Sequence, residues 1–164
     1  TYIPDTLPAR PYRRSLYTYH KRTIPPPASL VFDAPMRDNC EVRRTRTSTP
    51  LQALNLLNDP QVLEASRVLA QRLLQENNPE KPDRLLAEGF ARIMGRAPGR
   101  DELNTLTSLY KEEYQRYQNR PDHARQLIQA GRYPAAPELD PARHAALMLT
   151  MNAVMNLDEA MSKT

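Results

Sequence analysis

Three times along the chain a capping side chain is followed at once by proline: Thr49–Pro50, Asp59–Pro60 and Asp140–Pro141. A side-chain oxygen at such a position accepts from the orphan N–H groups of a first helical turn. Proline, with no N–H and a preset φ, suits the first helical position and little else in a helix. Each pair is therefore a helix start. The first is the fullest, because Gln52 stands three residues after Thr49 and completes a capping box, in which each side chain satisfies the other's backbone N–H. Thr49, Gln52, Asp59 and Asp140 are thus assigned as helix-capping residues.

Apolar periodicity extends these starts into elements. Val62, Leu63, Ser66, Leu69, Ala70, Leu73 and Leu74 recur at helical spacing and predict one amphipathic helix over 60–76. A second is predicted over 82–94, with Leu86, Phe90, Ile93 and Met94 inward and Gly95 as its stop. A third runs over about 100–119, with Leu103, Leu106, Tyr110, Tyr114 and Tyr117 on one stripe. "HARQLIQAG" (123–131) reads as a short helix stopped by Gly131, and "YPAAPELDP" as a loop. Residues 141–157 are apolar nearly all round, which places that helix at the centre of a bundle. Its methionines, Met148, Met151 and Met155, and Met161 beyond it read as core filling. With no Trp and only 2 Phe, the interior must be built from Leu, Ala, Met, Val and Tyr, which favours helices over sheets. The expected fold is all-α, a helical bundle of about five helices over 49–164.

The first 48 residues differ in kind. Residues 1–50 hold eight of the 16 prolines and nine Lys and Arg against four Asp and Glu, so the net charge of +4 resides there. An extended, turn-rich basic arm packed on the bundle is expected, within one structural domain overall. "RRSLYTYHKRT" (13–23) reads as a short strand that could give one β pairing, and "SLVFDAP" (29–35) as an apolar anchor closed by Pro35. No apolar stretch approaches the roughly 20 residues of a membrane span, and Thr1 opens no export-signal pattern, so the chain as given is expected to be soluble. A start without Met suggests a processed chain or a piece of a longer one.

Chemistry-bearing residues are few. Arg37, Arg43, Arg44 and Arg46, near Arg13, Arg14, Lys21 and Arg22, form either a clamp on Asp33, Asp38 and Glu41 or a face for polyanions. The clamp is preferred, since no aromatic interleaving marks a nucleic-acid motif. Lone Cys40 is excluded from an internal disulfide and from a CxxC metal knuckle; it reads as a small buried residue, with a reactive thiol or a pairing to an outside cysteine as alternatives. His20, His123 and His144 lack zinc spacing. His144 on the last long helix is expected to be satisfied or exposed, not a haem ligand. No GxSxG and no phosphate-cradling glycine loop occur, and adjacent Asp158 and Glu159 diverge by about 100° on a helix. Asn152 and Asn156, one turn apart on an apolar helix, are buried polar candidates that either cap the arm's backbone or line a pocket. No catalytic residue and no metal ligand is assigned.

Four stretches, "RRSLYTYHKRTIPPPASLVFDAP", "VRRTRTSTPLQALNLLNDP" after Cys40, "GRAPGRDEL" and "MNLDEAM", resemble in that order the C-terminal half of the planctomycete-specific domain-one family, a domain of unknown function. That resemblance implies the tail of a large exported protein, often preceded by a cytochrome-c-like module. Haem would then belong to a separate module, with no cofactor in this chain. Partners would be other domains of the same protein or an exported protein. The family carries no activity to transfer, and Ala160 stands where its closing motif has an aromatic residue. A structural or interaction module is the leading reading. The alternatives are an enzyme site completed by an upstream half, with Asp33, Cys40, Arg43 and Arg44 in one cleft, and a polyanion-binding arm.

Overall fold

The computed structural model describes Tyr12, Tyr19, Lys21, residues 23–35, Val42, Arg43 and residues 47–161. These hold eight helices: α1 (Pro27–Val31), α2 (Pro50–Asn58), α3 (Pro60–Glu76), α4 (Pro82–Met94), α5 (Arg100–Gln118), α6 (Pro121–Leu127), α7 (Pro141–Met155) and α8 (Asp158–Met161). The fold is all-α. No strand forms among the described residues, and the expected β pairing is one isolated antiparallel bridge between Lys21 and Ile24. The rest of the stretch read as a strand lies almost wholly outside them.

The helix count exceeds the expected five in part because α1 forms where an apolar anchor was foreseen and the single turn α8 follows α7. Two residues ahead of "SLVFDAP", Pro27 at a first helical position starts α1, which runs into that anchor as far as Val31 where extended chain was expected. α6 begins at Pro121, two residues ahead of the predicted start, and ends at Leu127, before Gly131. The chain divides into two compact units, Thr1–Asn55 and Leu56–Thr164.

In the first unit, Gln52 joins two backbone segments. Its Oε1 accepts from Thr49 N–H at 3.0 Å while Gln52 N–H donates to Thr49 Oγ1 at 3.3 Å, the two halves of a capping box. Its Nε2 donates to Val31 O at 2.8 Å, to Thr47 Oγ1 at 3.1 Å and to Asp33 Oδ2 at 3.4 Å. Asp33, at φ 51, also accepts from Thr47 N–H at 2.8 Å and Thr47 Oγ1 at 2.6 Å.

The second unit is built around α7. Ala145, Ala146, Leu147, Met148, Met151 and Val154 are 0% exposed, as a helix apolar on nearly every side must be when neighbours surround it. α3 and α5 supply most of the cover, with α4 and α6 completing it. Leu73, Leu85, Leu86, Phe90, Leu106 and Tyr110 join α7 in one core cluster. α4 approaches closely because Gly89 has no side chain: a Cβ there would overlap Met151 Sδ and lie 2.9 Å from Leu73 Cδ1. Gly95, at φ 76, ends α4 as its left-handed cap. Met161 departs from expectation, at 41% exposed. α8 is a single turn with no buried residue, so nothing draws that side chain inward.

Candidate functional site

α3 carries a second stripe beside its apolar one. Glu64, Arg67 and Gln71, at i, i+3 and i+7, are only 8%, 0% and 8% exposed. Buried charges are costly without compensating polar contacts, and here these come from residues 130–136 of the connection between α6 and α7. Arg67 Nε donates to Ala130 O at 2.9 Å and Nη2 to Tyr133 O at 2.5 Å. Glu64 Oε1 accepts the N–H groups of Arg132 (2.8 Å) and Tyr133 (2.5 Å). Gln71 Oε1 accepts from Ala136 N–H at 3.2 Å, and Gln75 Nε2 donates to Glu138 Oε1 at 3.0 Å. This ladder straps the connection to the helix. Gly131, at φ 91, passes so near Glu64 that a Cβ would fall 2.5 Å from its Cγ and Cδ. The glycine expected to stop a helix instead permits this approach.

His144, in the first turns of α7, lies behind the ladder at 0% exposure, with Nε2 3.0 Å from Arg67 O. A carbonyl oxygen only accepts, so Nε2 carries the proton. Nδ1 has no hydrogen-bond partner. Burial holds the imidazole below its ordinary pKa; the bond to Arg67 O opposes that shift and the Arg67 charge adds to it. Asn152, 2% exposed, leaves its Nδ2 without a protein acceptor. Asn156 is the C-cap of α7, its N–H donating to Asn152 O at 3.1 Å.

At the opposite end of the unit, Arg96 gathers two acidic residues. It meets Glu102 through Nη1 (2.9 Å) and Nη2 (2.8 Å), and Glu159 through Nε and Nη2, each at 2.7 Å. The guanidinium also lies 5.0 Å from the Phe90 ring centroid. Arg96, with help from the Gly99 N–H, pulls the Glu102 carboxyl down to about 2, and it lowers Glu159 too. Two stretches of the sequence, "GRAPGRDEL" and "MNLDEAM", thus meet through one side chain. Nearby, Arg92 bridges Glu76 and Glu88. Burial raises the Tyr110 phenol to about 12.

Of the residues singled out by sequence, Asp59 Oδ1 accepts from Gln61 N–H (2.7 Å) and Val62 N–H (3.3 Å), and Asp140 accepts from Ala142 N–H and Arg143 N–H. Arg43 is exposed, while Arg37, Cys40, Arg44 and Arg46 lie outside the described residues. Glu64, Arg67, Gln71, Arg96 and Glu159 in the roles above escaped the sequence reading. Polar residues at 64, 67 and 71 share one helical face, which is the signal present in the sequence. Among the described residues no group of three His, Cys, Asp or Glu side chains is disposed to hold a metal ion, and no helix is long and apolar enough to cross a membrane.

What the fold and its polar groups define is a helical scaffold whose buried charges engage its own backbone. By comparison with family models the chain belongs to the PSD1 family, proteins of unknown function (DUF1553), matched over residues 4–110. The match takes in α1 to α4 and most of α5, and ends before the strap and α7. Searches of curated proteins and of solved structures found no match.

Proposed function

We propose that the chain is a non-catalytic structural or protein-interaction module of an exported multidomain bacterial protein, docking on other domains of that protein or on an exported partner. The haem module and the planctomycete setting suggested by the sequence resemblance belong to this proposal, with haem held outside this chain. The observation that carries the reading is the inverted polarity of α2. Leu51, Leu54 and Leu57, three residues apart, are 60%, 58% and 43% exposed, while Gln52 on the opposite side of the helix is buried at 3%. A helix that turns its amide inward and its leucines outward offers an apolar stripe to a partner. Covering the exposed parts of three leucines is worth about 3 kcal/mol, roughly two powers of ten in affinity.

The test is a pull-down from the native exported fraction at low and high salt, with captured proteins identified by mass spectrometry. Capture of an exported protein, or of another domain of the same polypeptide, that survives high salt and is lost with Leu54→Glu supports the reading. The substituted residue is exposed, so the fold should persist, which circular dichroism checks. Retention of only nucleic acid or acidic glycan, released by salt, overturns it.

A further inference from the structure

We propose that His144 is an acid-operated latch on the strap formed by residues 128–139, and that protonation of its imidazole at Nδ1 releases the strap from α3. The geometry makes Arg67 the shared member of two attachments. Its carbonyl receives His144 Nε2, and its guanidinium holds the carbonyls of Ala130 and Tyr133. In the neutral state His144 has one donor and that donor is used. A proton added at Nδ1 creates a buried N–H with no acceptor, and places a second cation beside a fully buried guanidinium. His144 is the fourth residue of α7, in the first turn, where a helix disfavours added positive charge. Relief lies on the strap side, where Tyr133, whose carbonyl is the last one donated to, is 49% exposed, whereas the core residues packed on α7 from α3, α4 and α5 are buried.

Other charged groups on the elements around α7 are engaged with one another or, like Arg72, Arg84 and Lys111, exposed to solvent. On its own helix Arg143 meets Glu80 at 2.8 Å and Asp140 at 3.7 Å. From α5, Arg116 pairs with Glu113; from α6, Arg125 pairs with Asp122 and His123 is exposed. From α4, Arg92 pairs with Glu88 and Glu76, and from α8 Glu159 pairs with Arg96. Glu64 on α3 faces the strap. Arg67 is the charged group that acts on the imidazole. The folded protein holds His144 below the unfolded value of about 6.5, so its contribution to stability is whole above that pH and is lost as pH falls through the lower folded value.

The experiment is amide hydrogen exchange by NMR on the whole chain between about pH 7.5 and 5, the range in which histidine titrates, with the His144 ring followed in the same samples. The expected result is at least a tenfold loss of protection at Arg132, Tyr133 and Ala136, tracking the ring titration while Leu73 and Leu147 stay protected. His144→Gln should flatten the profile, and Glu64→Gln should leave its midpoint in place. If His144→Gln does not fold, the wild-type ring and strap midpoints decide alone. Simultaneous loss at strap and core, persistence of the step in His144→Gln, its shift in Glu64→Gln, or strap and ring midpoints that disagree would each overturn the latch.

Discussion

Replacing Arg67 by Met keeps an unbranched, apolar stem, shorter by most of the guanidinium, and removes its donors. Two hydrogen bonds from a charged group disappear, those to Ala130 O and Tyr133 O. At about 1.5–3 kcal/mol each they amount to roughly 3–6 kcal/mol. Methionine returns part of this, since the thioether incurs no guanidinium desolvation; about 1–2 kcal/mol is reasonable. The expected net loss is about 2–4 kcal/mol, or roughly 5–12 °C in melting temperature for a chain of this size. Urea denaturation followed by far-ultraviolet circular dichroism measures the first figure. Tyrosine fluorescence supplies a second probe, because the chain contains no Trp. Arg67→Lys should recover only part of the loss, since an ammonium lacks the fork that spans both carbonyls. A stability change below about 0.5 kcal/mol for Arg67→Met would refute the idea that the ladder holds the strap. So would a large change without faster exchange at Tyr133 and Ala136.

Two glycine substitutions separate backbone strain from collision. Gly95→Ala, at φ 76 with open space around it, should cost about 1 kcal/mol, whereas Gly131→Ala adds contact with Glu64 to a φ of 91 and should cost more than about 2 kcal/mol in the same denaturation assay. Gln52→Ala leaves Val31 O without its side-chain donor and should cost the first unit about 1–3 kcal/mol, read as loss of protection around Val31 and Thr49 by NMR. Arg96→Ala should loosen α8, raising amide exchange at Ala160, while the global denaturation midpoint stays nearly unchanged. High salt should act in the same direction on the wild type, because both carboxylates sit at the surface.

The helices were legible where their causes are local. The pattern over 60–76 and that over 82–94 match α3 and α4 end to end, because a cap or an N1 proline at one end and apolar periodicity along the length all act within a few residues. α7 was legible as a central helix, since an all-round apolar surface has nowhere to go but inside. The ladder was hidden for the opposite reason. Glu64, Arg67 and Gln71 stand on α3 as a solvated face would, and their partners lie 63–69 positions further along the chain. The same holds for α2, where three leucines of "LQALNLL" face out and Gln52 faces in, its amide meeting Val31 O 21 positions away.

By itself the sequence determined the all-α class, the three capped starts and the central place of α7, because hydrogen bonding to a first turn and burial of an apolar stripe are decided by neighbours along the chain. Only the tertiary structure decided that Gly131 serves a close approach, that Arg96 ties the loop after α4 to α8, and that His144 rests on the backbone of Arg67. Those outcomes depend on which distant backbone groups arrive beside a given side chain, and the energy of burying a charge is settled by that arrival.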